Sequence, residues 1–439
     1  MKNSIFEKGI IKKADIDNYS QHVKGVFTKF LRIFPPRTLR PTRIKTVISL
    51  RTHVIKRRIW IKKLHLYIAV ISAIPILIMS ITGTALVYKE AIDIWATKGY
   101  MEVEVGPQKK SIDELKSILM TKFPGKEYPG VVLPREEGKS YYFWIKDAPL
   151  WTVHYINPYT GEFKGERAWE DWTIANIVWW LTDVHYSFKQ GTVGSYAVGI
   201  SSLVFACSII SGLFLWWPRK SKFDSSKFKL KTAKRWRQTA YNLHAVVGFY
   251  AAIALLFIAL TGSFITFWEP MTRFAHWVTL SPPPHKEPEI IPVGGETFVA
   301  ADTLVAKGVA HLKEKYQASP IPASIGFPNE KNIAVEMSFQ GIEGKVGADH
   351  WHVFFNAATG EIISDEVPPN FNRGQTLVSL VGPIHYGTWG AFWGNGAELV
   401  TRLLWIFAAL TPIFLIVTGF SIVRKSFWKG FRFWDRKKS

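Results

Sequence analysis

The chain has 439 residues, 48% of them hydrophobic and 15% aromatic, with 55 Lys and Arg against 34 Asp and Glu and a formal net charge of +21. Its apolar residues collect in four nearly uncharged runs, at about 64–87, 195–217, 243–267 and 399–423. Runs of that length cross roughly 30 Å of hydrocarbon, which excludes an ordinary soluble chain.

The charge is distributed by topology. Residues 1–63, 218–240 and 424–439 hold 33 of the 55 basic residues beside only five acids, whereas the loops at 88–194 and 268–398 hold 21 Lys or Arg against 29 acids. This is the positive-inside pattern, with both termini and the middle loop cytoplasmic. Topology and anionic lipid account for the basic residues, and no nucleic-acid partner is expected.

In chain order, 1–60 reads as a basic cytoplasmic arm and 61–88 as the first membrane helix. The first apolar run is too long for a signal-peptide core and no small-x-small cleavage site follows it, so it is expected to be retained. Segment 89–168 is an external domain. Within it SIDELKSILMTKF (111–123) has helical periodicity, and YYFWI (141–145) and WTVHYI (151–156) read as strands before NPYTGEF (157–163). Segment 169–194 reads as an interfacial helix rich in Trp and containing His185–Tyr186, and 195–217 as the second membrane helix. After the basic loop 218–240 and the third span 241–268, the pattern returns. A second external domain (269–372) contains a periodic helix at 301–316, the strand WHVFF (351–355) and NAATGEI (356–362). An interfacial segment (373–398) containing His385–Tyr386, a fourth span (399–423) and a basic tail (424–439) follow. The expected fold is an α-helical membrane protein, a four-helix bundle built from two repeats, each with a small external α+β domain.

LHLYIAVISAIPILIMSITG (64–83) and LHAVVGFYAAIALLFIALTG (243–262) place His65 and His244 near the inner face. His185 and His385 fall near the outer face. An interface histidine taken singly is more often a snorkelling or capping residue, but ionisable groups are costly near hydrocarbon, and here four stand in matched positions. Two layers of paired neutral imidazoles are what two bis-histidine haems b require, with these four residues as axial iron ligands. Gly83 and Gly262 each lie eighteen residues after a histidine, five helical turns and about 27 Å along the same face. Lacking side chains, they leave room for a macrocycle at the outer level. Gly212, after Ser211, and Gly419, after Thr418, are placed to do the same at the inner level. Small residues also mark close helix packing alone.

Other features are open to two readings. His154, His350 and His352 are surface residues or an external metal site. Asp183, Glu398 and Arg402 tune or hold a haem, or anchor the chain at the interface. His22, His53, His276, His285 and His311 have no constellation around them. Trp169, Trp172, Trp179, Trp180, Trp389 and Trp393 are interface anchors first and a substrate-receiving rim second. Cys207, the only cysteine, excludes an intrachain disulfide, a cysteine-ligated cluster and a Cys-x-x-Cys-His haem attachment. No nicotinamide fingerprint, P-loop or hydrolase triad pattern is present.

The order of these motifs resembles the PepSY-associated transmembrane family over roughly 60–425: LH…TG in the first and third spans, a His followed by glycines before the second and fourth, and TGE turns in the external segments. The longer Trp-rich stretch at 387–396 and the basic arm depart from the simplest pattern. The resemblance implies PepSY-like periplasmic domains, a di-haem core in a bacterial inner membrane, and reduction of a ferric siderophore or other ferric chelate to release Fe(II). It places His65 and His244 at the inner haem and His185 and His385 at the outer one. With no flavin or nicotinamide site in the chain, the electron donor is expected to be separate. Two other readings are a membrane-anchored periplasmic peptide- or protein-binding module without redox activity, and a haem carrier or sensor.

Overall fold

The computed structural model describes residues 41–146, 152–217, 225–284, 286–340 and 351–435, with side chains described between 57 and 423. Most of the expected arm, His22, His285, His350, the side chain of His53 and parts of the basic loop and tail lie outside the described residues. In chain order the helices are α1 (Pro41–Leu86), α2 (Lys89–Ala96), α3 (Lys98–Met101), α4 (Ile112–Lys122), α5 (Ile177–Ser187) and α6 (Gly191–Trp216), then α7 (Trp236–Thr266), α8 (Trp268–Val278), α9 (Ala301–Tyr316), α10 (Arg373–Ser379), α11 (Val381–Tyr386) and α12 (Asn395–Asp435). Strands β1 (Gly130–Val132), β2 (Tyr141–Ile145), β3 (Thr152–Ile156) and β4 (Phe163–Ala168) precede α5, and β5 (Ile321–Gly326), β6 (Ala334–Gln340), β7 (Trp351–Asn356) and β8 (Ile362–Glu366) precede α10. The chain divides into two compact units. One contains the described residues up to Ala73, Cys207–Ala252 and those from Thr411; the other contains Ile74–Ala206 and Ile253–Leu410.

Among the described residues four stretches, Arg57–Leu86, Gly191–Trp216, Trp236–Thr266 and Asn395–Val423, are long and apolar enough to cross a membrane. Helix is the form such runs must take, because hydrocarbon offers no water to satisfy an unpaired N–H or C=O. Hydroxyls within them are satisfied in the same way. Ser72 Oγ donates to the Ile68 carbonyl at 2.9 Å, and Thr418 Oγ1 to that of Phe414 at 2.8 Å. Ile71, Ile253 and Phe407 stand exposed, which suits a lipid surface.

The strands of both external segments form one antiparallel sheet of eight, ordered β4-β3-β2-β1-β5-β6-β7-β8. The sequence led to a separate small domain in each segment. The difference arises at β1 and β5, which would otherwise be two open edges. They pair antiparallel, Val131 opposite Ile325, and one hydrophobic core runs beneath both halves. Leu115, Leu119, Phe143 and Ile156 contribute from the first segment, and Leu304, Leu312, Met337 and Phe355 from the second. The two domain helices also cap each other. Asp302 accepts from the Ile112 N–H at 2.8 Å, and Asp113 accepts from the Ala301 N–H at 2.9 Å. Each carboxylate thus satisfies an orphan donor in the first turn of the opposite helix.

The shared Asn-x-x-Thr-Gly-Glu signature is turn chemistry. Asn157 Oδ1 accepts from the N–H groups of Tyr159 (2.9 Å) and Thr160 (3.3 Å), and Thr160 Oγ1 accepts from that of Glu162 (3.1 Å). Asn356 and Thr359 repeat these bonds on Ala358, Thr359 and Glu361. Gly161 and Gly360 have φ of 77° and 68°, a left-handed conformation that favours glycine. The turns join β3 to β4 and β7 to β8.

Candidate functional site: two histidine pairs

His65 on α1 and His244 on α7 have ring centroids 6.5 Å apart. His185 near the end of α5 and His385 near the end of α11 have centroids 6.3 Å apart. The structure therefore brings the four histidines together two by two, each pair within one compact unit.

Each ring is held through Nδ1. His65 Nδ1 lies 3.0 Å from the Ser208 carbonyl and 3.0 Å from Ser211 Oγ. His244 Nδ1 is 3.0 Å from Thr418 Oγ1, His185 Nδ1 is 2.9 Å from Thr82 Oγ1, and His385 Nδ1 is 3.0 Å from Thr261 Oγ1. These contacts assign the tautomer. Each hydroxyl already donates its single proton to a carbonyl of its own helix: Ser211 to Ser208, Thr418 to Phe414, Thr82 to Ile78 and Thr261 to Phe257. The hydroxyl oxygen can then only accept, so Nδ1 carries the hydrogen and donates. The lone pair is left on Nε2 in all four rings, the arrangement in which a histidine binds a metal while its other nitrogen is oriented by a hydrogen bond. Burial lowers His185 to about 4 and His385 to about 3, which keeps both rings neutral.

The four glycines stand where these imidazoles pass. A Cβ on Gly83 would lie 2.8 Å from His185 Cε1, one on Gly262 3.1 Å from His385 Cε1, one on Gly212 3.2 Å from His65 Cε1 and one on Gly419 3.4 Å from His244 Cε1. Sequence reasoning reserved this space for a macrocycle; its nearest occupant is the edge of an imidazole. That reasoning also passed over the hydroxyls as hydrogen-bond partners. Their signal was present: Thr82–Gly83, Ser211–Gly212, Thr261–Gly262 and Thr418–Gly419 are each a hydroxyl residue followed by glycine, and each dipeptide holds one histidine.

The spacing of each pair can be compared with that of two imidazoles on one iron. With metal–imidazole bonds of about 2 Å and roughly 1.2 Å from nitrogen to ring centre, two axial imidazoles have centroids roughly 6–6.5 Å apart. The two separations above match that span. Replacing the hydroxyl acceptors tests the fit. Thr82→Val and Thr261→Val keep side-chain volume but remove the Nδ1 acceptor, and outer-shell losses of this kind weaken metal binding by about 10–100-fold. If each pair holds a haem, each variant is expected to lose it to apomyoglobin faster by that order, while Thr82→Ser retains it.

Other expected site residues are engaged elsewhere. Asp183 pairs with Lys189 at 3.6 Å and accepts from the Ser187 hydroxyl. Arg402 pairs with Glu398 at 2.7 Å and Glu90 at 3.2 Å. His154 is wholly buried, Nδ1 at 2.9 Å from Tyr128 Oη and Nε2 at 2.7 Å from Glu166, so it is not a surface residue. His352 pairs with Glu336 at 2.5 Å and His311 with Asp365 at 2.6 Å. His276 is buried in α8 with Nδ1 on the Pro282 carbonyl. Among the described residues no group of three or more His, Cys, Asp or Glu converges as a metal site. The tryptophans associate in pairs: Trp169 with Trp179 at 5.6 Å, Trp172 with Trp180 at 4.8 Å, and Trp389 with Trp393 at 5.8 Å between centroids.

Among the described residues, four membrane-length helices, an eight-stranded antiparallel sheet and two close histidine pairs define a multi-pass membrane protein with an extramembrane sheet domain. The family model described as the PepSY-associated TM region matches residues 62–425, and the chain belongs to that family. A comparison with curated proteins gives no match.

Proposed function

We propose that the chain is a di-haem oxidoreductase of a bacterial inner membrane. Electrons would pass from the cytoplasmic side to a periplasmic acceptor, a ferric siderophore. The observation that carries this reading is the pair of imidazole separations, 6.5 and 6.3 Å, with the lone pair on Nε2 in all four rings. His65 and His244 would hold one haem b, and His185 and His385 the other. The four hydroxyl–glycine dipeptides support two repeats of one unit, because each repeat supplies the same acceptor-and-gap device twice.

A bound haem supplies reversible one-electron chemistry at its iron. The chain's own part is to present neutral Nε2 atoms, to fix each ring through Nδ1, and to keep ring and helix in contact where glycine leaves room. The charge distribution supports both termini lying inside, and an electron moving outward would then be favoured by an inside-negative potential by about 2.3 kcal/mol per ~100 mV. A separate donor is oxidised at the inner face, and one electron converts Fe(III)–chelate to Fe(II). Hard oxygen ligands hold the product less tightly, so the chelator is released unchanged. Exposed Trp172 and Trp393 lie on segments flanking the outer pair and offer an apolar receiving surface.

The test is stopped-flow reoxidation of the dithionite-reduced, desalted protein by a ferric hydroxamate, with a ferrous chelator trapping the product. One Fe(II) trapped per haem oxidised is expected. Trapping at the same rate by His185→Ala and His385→Ala proteins would contradict the outer pair as the exit point.

A further inference from the structure

The unit that holds His65 and His244 also contains a depression of about 360 Å³ lined by Lys62, Arg235, Arg237, Gln238, Tyr241 and Ile422. Its position follows from helix geometry. Lys62 precedes His65 by three residues on α1, Tyr241 precedes His244 by three on α7, and Ile422 follows Thr418, the partner of His244, by four on α12. Residues three or four apart share a helix face, less than ~6 Å apart along the axis. The depression therefore opens one turn from the histidine pair, on the side where the positive-inside pattern places the cytoplasm.

Its lining is cationic. Lys62, Arg235 and Arg237 contribute three positive charges, and among the described residues no Asp or Glu lines it. Among the described residues none of the three is in an ion pair. Arg237 Nε donates to the Ile422 carbonyl at 2.8 Å, which ties its guanidinium to α12 and leaves its terminal nitrogens for another acceptor. Arg235 immediately precedes α7, so that helix's positive end adds to the field. Three unneutralised cations around a concavity at a membrane boundary call for an anion.

Haem b carries two carboxylates, and leaving either in hydrocarbon is costly unless it reaches a cation or water. We propose that Lys62, Arg235 and Arg237 form the pocket that receives the propionate carboxylates of the haem held by His65 and His244. The inference rests on the di-haem reading and adds to it the group that orients this haem about its iron–imidazole axis. Arginine is suited to the role because its planar fork donates two parallel hydrogen bonds to one carboxylate. The same cations set the haem's poise. Reduction adds negative charge, positive neighbours favour it, and their removal lowers the midpoint potential.

The experiment uses the full chain, produced without haem and reconstituted with either haem b or its dimethyl ester, whose carboxylates are neutral. Loss of each to apomyoglobin is followed for the natural protein and for the Lys62→Gln, Arg235→Gln, Arg237→Gln triple variant. All three side chains are exposed, so the triple variant is expected to fold. In the natural protein one phase of ester loss should be about tenfold faster than that of haem b, the scale of a charge-assisted hydrogen bond. In the triple variant the two should be lost at the same rate, and one of the two midpoints should fall while the other holds. Equal loss of ester and haem b from the natural protein, or full discrimination retained in the triple variant, would overturn the pocket while leaving the di-haem reading in place. Natural protein that takes up no haem, judged by its optical spectrum, would overturn both.

Discussion

His385→Ala should leave about one low-spin haem per chain in place of two, with no measurable ferric-chelate reduction, and His185→Ala should do the same. The partner imidazole stays in position in either variant, because its Nδ1 remains bonded to Thr82 or Thr261. It faces nothing across the 6.3 Å gap, so any haem retained there is bound from one side only and reads as high-spin. His65→Ala and His244→Ala should empty or convert the other site and leave the outer one unchanged. The cross-pattern is the informative part. Haem quantitation with low-temperature spectra of all four variants should sort them two by two, 65 with 244 and 185 with 385. Loss of both haems in every variant would point to a general requirement for folding instead.

Gly83→Ala should be nearly as damaging, and for a reason visible in one distance. Glycine inside a helix is destabilising relative to alanine by roughly 0.5–1 kcal/mol, so on backbone grounds the change should help. The added Cβ, however, would lie 2.8 Å from His185 Cε1, inside the closest approach that carbon atoms make. The ring must move, and any movement strains both its bond to Thr82 and its facing of His385. The effect should decline in the order Gly83, Gly262, Gly212, Gly419, following separations of 2.8, 3.1, 3.2 and 3.4 Å. The melting temperature of the haem-free protein and the haem content of the loaded protein separate the two terms: the first holds or rises while the second falls. Equal haem content across the four alanine variants would show that these glycines serve helix packing alone.

The membrane helices and the four histidines were legible because both signals are local. Twenty apolar residues need no partner to be recognised, and His65 and His244 sit in near-identical strings. The external helices were legible on the same ground: periodicity over 111–123 and 301–316 corresponds to α4 (Ile112–Lys122) and α9 (Ala301–Tyr316). The joining of the two strand sets was not. It depends on a three-residue strand, Gly130–Val132, pairing with residues nearly two hundred positions away, and nothing in so short a segment distinguishes a sheet centre from an edge. The burial of His154 was hidden for a related reason. Its partners Tyr128 and Glu166 come from outside its own strand, so only the folded sheet brings them to the ring. The roles of Thr82, Ser211, Thr261 and Thr418 fell between these cases. The dipeptides could be read, but hydroxyl and glycine acting together on one imidazole is a relation between helices.

The central claim is that each histidine pair holds a haem iron, and its most direct measurement is an optical spectrum. Protein purified after haem-replete expression would be recorded oxidised and dithionite-reduced, with pyridine-haem quantitation per chain. Two low-spin b haems per chain are the expected result. Protein that is folded and free of haem under those conditions would contradict the account and leave a membrane-anchored sheet domain whose histidine pairs serve another purpose.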